Sequence, residues 1–328
     1  MNQTGTTPSF TNGGAISVGT GRIFAVTNGA FTNDVSGSVA GQGALTFTNV
    51  TAAFGGGAPA TEFFNATAST LSLVNDASVG TATWEFTNTV VVDDGAILTI
   101  PAGSTVSLNA SSLLTPVVNA GSLLVSAASA MNDLTTASTS FIRVGSTAGG
   151  ATTFTQTGGF VNNGLLDLTN LAAGTNLARV LVQNGTLQNA PSGVIQTQAG
   201  AAGGARVIET TGGGNFENDG TLTVHATAAG TLTLTLSGGF ITTGTINLEV
   251  GGPIAGTDFD RIAVSGNTTL GGTLNVALIN AFTPPPASSY LLLAQSAGTS
   301  SGTFATVNAP GFTVPPTYAA GGTTIVVP

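Results

Sequence analysis

One phrase recurs along most of this chain: an apolar residue, any residue, Asn, a short turn usually carrying Gly, then alternating apolar residues. It reads Phe10-Thr-Asn12-Gly-Gly-Ala-Ile-Ser-Val18, Phe31-Thr-Asn33-Asp-Val-Ser-Gly37 and Val117-Val-Asn119-Ala-Gly121. It continues as Phe160-Val-Asn162-Asn-Gly164, Leu187-Gln-Asn189-Ala-Pro-Ser-Gly193 and Phe216-Glu-Asn218-Asp-Gly220. Shorter echoes lie at Phe47-Thr-Asn49, Phe63-Phe-Asn65 and Phe86-Thr-Asn88, and Phe240-Ile-Thr-Thr-Gly244 keeps the pattern with Thr in place of Asn. A strand, a tight turn and another strand repeated at intervals of roughly 20–45 residues is the mark of a solenoid.

Between the phrases the chain alternates, as in Leu232-Thr-Leu234-Thr-Leu236 and Ile246-Asn-Leu248-Glu-Val250, and helical periodicity is almost undetectable. Short β-type runs bounded by Gly, Asn, Asp and Ser read as strands and turns. One apolar face per strand must point into a common interior, so Phe160, Phe216 and Phe240 are expected to stack as an internal column of rings that need no hydrogen-bond partner. The repeated Asn suits a coil corner, because it tolerates the left-handed region and bonds neighbouring backbone. Stacked at the strand spacing of about 4.8 Å it can also form an amide ladder. The phrase starts suggest about ten coils, with loops inserted at corners such as 147–151 and 199–205.

Composition narrows the habitat. Charged residues are only 6% of the chain, against about 25% in a typical soluble domain. Hydrophobic residues reach 41%, so a core is available that a disordered Gly-rich chain would lack. The five cations are Arg22, Arg143, Arg179, Arg206 and Arg261, there is no lysine, and the net charge is −9. With no basic patch, nucleic acid and anionic lipid surfaces are not expected partners. Without lysine, Schiff-base chemistry and P-loop phosphate binding are excluded, and without cysteine so are disulfides and thiolate metal sites. No apolar run approaches the ~20 residues that span a bilayer as a helix. The first residues show neither a basic region nor an apolar core, so an exported form is expected to have had its leader removed or replaced by an initiator Met.

Residues of the types that carry chemistry are few. His225 is the sole histidine, and alternation with Leu222 and Val224 inside points it outward, with no second histidine or cysteine to complete a zinc site. The single Gly-x-Ser-x-Gly match, Gly298-Thr-Ser300-Ser-Gly302, lacks a following helix and reads as a loop rather than a nucleophile elbow. Asp93 and Asp94 precede Gly95 and read as a turn. Asp258 and Asp260 flank Phe259 beside Arg261 and read as a solvated strand start with ion pairing, with calcium binding or glycosidic catalysis as the weaker readings. The Gly212–Gly220 segment, which contains Asp219, lacks the tandem spacing of a calcium nonapeptide. Thr231, Thr233 and Thr235 form an outward Thr-x-Thr row similar to those of ice-binding rods, but neighbouring coils do not clearly repeat it. No residue is assigned a catalytic, cofactor-binding or metal-binding role, and no cofactor is expected.

Near Gly251 the character changes, through Asp258-Phe-Asp260, Leu270-Gly-Gly-Thr-Leu274, Pro284-Pro-Pro286 and Gly302-Thr-Phe304. About residues 251–310 resemble the C-terminal end of the passenger region of bacterial autotransporters and related secreted β-helix adhesins. The upstream Asn-Gly repeats resemble the same proteins more diffusely, and no membrane β-barrel follows in this chain. The resemblance implies a rod and a cap covering its end, since a bare solenoid end would template another chain. The expectation is therefore an all-β, right-handed parallel β-helix (β-solenoid) over 1–250 with a C-terminal β-cap or assembly segment over 251–328. Its expected role is a non-enzymatic structural and adhesive one, outside a bacterial cell or on its surface, with self-association and cell-surface or matrix polysaccharide as partners. A self-assembling extracellular filament subunit stacking end to end is the alternative, followed by a phage fibre segment or a polysaccharide-active β-helix enzyme.

Overall fold

The computed structural model describes residues 1–328 apart from 3, 6, 7, 200–202, 226 and 227. Among the described residues there is no helix, and the strands pair mostly in parallel, each with one a full coil further on. Parallel partners cannot be joined by a tight hairpin, so the chain must travel away and return before pairing. Here it returns through other strands rather than through helices, an arrangement consistent with a β-solenoid. The chain divides into two compact units, Met1–Ile142 and Arg143–Pro328.

In the first unit the inward side chains form continuous columns fixed by register. Leu45, Phe64, Trp84, Val106 and Leu123 follow one another through successive pairings, and so do Phe47, Ala66, Phe86, Leu108 and Val125. Rings pack down these columns: Phe47 meets Phe64 edge-on at 5.5 Å between centroids, and Phe64 meets Trp84 at 5.2 Å. In the Phe63-Phe-Asn65 echo it is Phe64 that is buried, while Phe63 is 44% exposed. A separate parallel sheet joins Ala77–Ser78, Leu98–Ile100, Val117–Asn119 and Leu134–Thr136.

The second unit has three strand columns. One runs through Thr152–Gln156, Ala178–Val182, Arg206–Thr210, Thr231–Thr242, Arg261–Leu270 and Ser289–Ala297. Another joins Phe160–Asn162, Leu187–Asn189 and Phe216–Asn218 to the later halves of Thr231–Thr242 and Arg261–Leu270, and then to Ser300–Gly302. The third contains Leu165–Leu168, Val194–Thr197, Thr221–Thr223, Thr245–Val250, Thr273–Leu278 and Thr306–Asn308. Parallel pairing thus runs past Gly251 as far as Asn308. Antiparallel pairing occurs at the isolated bridge Val250–Phe259 and in Gly322–Val326, which lies against both Ser289–Ala297 and Thr313–Ala319.

The expected aromatic column is interrupted. Phe216 and Phe240 stack at 5.3 Å and 22°, but Leu187 stands between Phe160 and Phe216 in the register. Phe160 instead meets Phe154 edge-on at 6.3 Å. Phe216 is fully buried, so removing its ring leaves a cavity lined by its coil neighbours. Phe216→Ala is expected to cost about 3–5 kcal/mol of stability, measured by denaturant unfolding; an unchanged midpoint would mean that the ring carries no packing load.

Candidate functional site

The most elaborate polar construction lies inside, where inward polar groups bond to their own equivalents on the next coil. In the second unit Asn162 Nδ2 donates to Asn189 Oδ1 at 2.9 Å, and Asn189 Nδ2 donates to Asn218 Oδ1 at 2.8 Å. Asn218 Nδ2 ends the run on Thr242 Oγ1 at 3.2 Å, at the position where the phrase substitutes Thr for Asn. Each amide also reaches a carbonyl of the strand beyond the turn, as Asn189 does with Thr221 at 3.1 Å. The first unit repeats the device between Asn12 and Asn33 at 2.8 Å. The glycines after these Asn residues stack closely: a Cβ on Gly220 would lie 2.2 Å from the Ala190 carbonyl oxygen, and one on Gly244 would lie 2.1 Å from that of Gly220. Glycine is required there by close backbone approach rather than by a left-handed φ.

The left-handed corners belong to a different set of residues. Asn28, Asn49, Ala68, Asn88 and Ala110 all have φ between 48° and 63°. The phrase read from the sequence therefore merges two motifs, a buried ladder Asn and a corner Asn. Just beyond these corners runs a ladder of hydroxyls that the sequence reading missed. Ser69 Oγ accepts from Val50 N at 3.1 Å, Thr89 Oγ1 from Ser69 N at 3.4 Å, Ser111 Oγ from Thr89 N at 3.1 Å and Ser129 Oγ from Ser111 N at 3.2 Å.

A cluster of ionisable groups is buried in the second unit. Arg206 occupies an inward position in register with Ala178 and Leu232 and is fully buried. Its guanidinium donates to the carbonyls of Gln198 and Ala199 at 2.7 Å and to those of Asn176 and Ala205 at 3.2 Å. Burial lowers its pKa to about 10, and the Asp167 charge partly offsets this. Asp167 is itself covered, held by Arg143 at 3.3 Å and by the amides of Gln196 and Gln198. The outward arginine of the same strand column, Arg179, pairs with Glu209 at 3.0 Å.

His225 corrects the sequence reading: it is buried, not a surface residue. Its φ of 46° ends the alternation after Val224, so two successive side chains turn inward. Its backbone N–H binds Thr197 Oγ1, and its ring lies where a Cβ on Gly230 would be, 2.1 Å from Nδ1. Burial, and next the Arg206 charge, lower its pKa to about 4, which keeps the ring neutral above that.

Asp260 is a second correction. It is fully buried rather than solvated, with Oδ1 accepting from Gly230 N and Oδ2 from Glu249 N, both at 2.8 Å. It thereby ties the starts and ends of neighbouring strands together. Asp258 stays half-buried and accepts from Ile254 N at 3.1 Å. Ser300 lies in the short strand Ser300–Gly302 rather than in a loop. Asp93 sits in a turn and accepts from Gly95 N at 3.0 Å. Asp219 accepts from Thr243 and Gln188, bonds that hold its carboxyl below the usual carboxylate range. Gly230 thus touches both His225 and Asp260, through its would-be Cβ position and its N–H respectively. Among the described residues no group of three or more His, Asp or Glu side chains could hold a metal ion. The chain matches no protein-family model and is similar to no curated protein.

Two outcomes follow from this geometry. Asn189→Ala leaves Asn162 and Asn218 without their partner and is expected to cost about 2–3 kcal/mol. Asn189→Asp is expected to cost more, because a buried carboxylate cannot donate to Asn218 or Thr221; denaturant unfolding of both variants would show the order, and a more stable Asp variant would refute the ladder. For Asp260, burial raises the pKa to about 8, the Gly230 and Glu249 N–H groups lower it, and the Glu249 charge adds to the rise. The folded state therefore favours the protonated form. Its contribution to stability is full below the unfolded pKa near 3.8 and is lost as pH rises through about 8. The wild type is therefore expected to melt lower at pH 9 than at pH 5. Asp260→Asn, whose NH2 group would face one of the two backbone N–H donors, is expected to melt below the wild type at pH 5 and to show a smaller fall between the two pH values. A wild type that melts higher at pH 9 than at pH 5 would mean that the N–H groups favour the carboxylate.

Proposed function

We propose that this chain is a non-enzymatic structural and adhesive protein of the bacterial exterior or cell surface, a right-handed parallel β-helix closed at its C-terminal side by an antiparallel cap. Right-handed winding is the hand that parallel crossover connections overwhelmingly take. The observation that carries the role is how the chain uses its scarce ionisable groups. Arg206 satisfies backbone carbonyls, and Asp260 satisfies backbone amides. Groups committed to the scaffold in this way are not free to meet a substrate. Asp258-Phe-Asp260 and the segments after it support a likeness to autotransporter passenger ends, with the antiparallel strands Thr313–Ala319 and Gly322–Val326 as the covering element. The partners we assign are cell-surface or matrix polysaccharide and further copies of the chain.

The test is to present the purified chain to bacterial cells and to a polysaccharide array while following reducing ends. Retention on cells or glycans with no new reducing ends is expected. Turnover that disappears in Asp258→Asn, or failure to be retained on any surface, would overturn the proposal.

A further inference from the structure

The interior of a solenoid must repeat for the coils to stack, but its outward positions need not. On one strand column of the second unit the outward sequence is irregular: Thr153, Arg179, Val207, Thr233 and Ala263 follow one another in register. On another it runs Val161, Gln188, Glu217, Ile241 and Thr269. The Thr231, Thr233 and Thr235 row is likewise unrepeated, since Arg261, Ala263 and Ser265 lie beside it.

The third column differs. Thr221, Thr245, Thr273 and Thr306 lie in one straight register, and Thr223, Asn247, Asn275 and Asn308 lie in the next outward one. Successive coils thus present Thr-x-Thr, Thr-x-Asn, Thr-x-Asn and Thr-x-Asn. The leading threonines are half-buried except Thr306, which is exposed. The trailing column is chained by its own hydrogen bonds. Asn247 Nδ2 donates to Thr223 Oγ1 at 3.1 Å, Asn275 Nδ2 to Asn247 Oδ1 at 2.8 Å and Asn308 Nδ2 to Asn275 Oδ1 at 2.8 Å. Each amide still has a second N–H, and its oxygen a second lone pair. Threonine is stiff at χ1, so both columns are held before any ligand arrives and little ordering remains to oppose binding.

The result is a lattice of hydroxyls, amides and methyls, with a repeat of about 4.8 Å along the stack and about 6.7 Å across each strand. Its partner must itself be a rigid lattice of hydrogen-bonding groups on that scale. The two columns contain no formal charge to bind a mineral surface, Glu249 lying beyond them, and no aromatic ring to stack on sugar faces. We infer that this face binds ice, its hydroxyls and amides joining the hydrogen-bond network of ordered surface water while its methyls pack against it. Ice binding here is independent of the adhesive role proposed above, and each can fail without the other.

The experiment grows ice slowly from a solution of the whole chain, measures the fraction of protein carried into the ice, and records crystal shape and thermal hysteresis. Thr245→Tyr with Thr273→Tyr puts bulk on the face without touching the core. Thr273→Val removes a hydroxyl and keeps the shape, and Thr233→Tyr is the control on another face. The wild type and Thr233→Tyr are expected to be enriched in ice and to facet the crystals. The tyrosine double variant is expected to be excluded like an inert protein, at an unchanged melting temperature of the protein, and Thr273→Val to show reduced hysteresis. Exclusion of the wild type from ice, full activity in the correctly folded double variant, or retention on microcrystalline cellulose with exclusion from ice would overturn the inference.

Discussion

Everything in this fold depends on main-chain hydrogen bonds between coils that overlie one another residue for residue. Once Leu187 must sit over Phe216, and Asn189 over Asn218, each inward position meets its own equivalents above and below. Apolar residues satisfy that condition trivially. A buried polar residue satisfies it only when it can donate in one direction and accept in the other, as an amide or a hydroxyl can. The Asn162–Asn189–Asn218 run does so side chain to side chain. In the Ser69–Thr89–Ser111–Ser129 run the linking hydroxyls accept from the backbone N–H of the preceding coil, and those of Ser69, Thr89 and Ser111 donate to a carbonyl two residues back. A carboxylate or an ammonium group cannot form such a ladder, since each only accepts or only donates.

The same geometry accounts for the composition. Stacking places like over like at about 4.8 Å, where two unit charges repel by about 1 kcal/mol even in water and by more near a protein surface. A regular array of charged side chains would therefore oppose the stack, which favours Thr, Ser, Asn and Gln on the outside. Some of the charges that do occur are placed against opposites: Arg179 meets Glu209, and Arg143 meets Asp167. Arg206 is the extreme case, a cation in a core position made tolerable by four carbonyl oxygens.

Several features were legible because they are periodic. The alternation of Leu232, Leu234 and Leu236 placed those residues inside, and the Asn phrase located the amide ladder. Errors gather where periodicity is broken by one backbone turn. His225 alternates outward on paper, but its left-handed φ turns it in behind Gly230. Asp260 follows buried Phe259 and is buried as well, because its carboxyl reaches amides of strands that lie far away in sequence. In Phe63-Phe-Asn65 the pairing of Leu45 with Phe64 decides which ring is inside, and nothing local distinguishes the two. For Arg206, the signal was the inward Ile208 two residues on, obscured by the equally apolar Val207 between them.

By itself, the sequence determined that this chain is all-β, that its core is apolar and coil-repeating, and that its Asn residues serve the stack, because each of these follows from spacing within one coil. Only the tertiary structure decided which residues of different coils share a column. The register of Thr221, Thr245, Thr273 and Thr306 depends on the loops between them, whose lengths differ from coil to coil and hide the alignment. The burial of His225, Arg206 and Asp260 was fixed at the same level, since what satisfies or neutralises them comes from neighbouring coils and loops rather than from the strand that carries them.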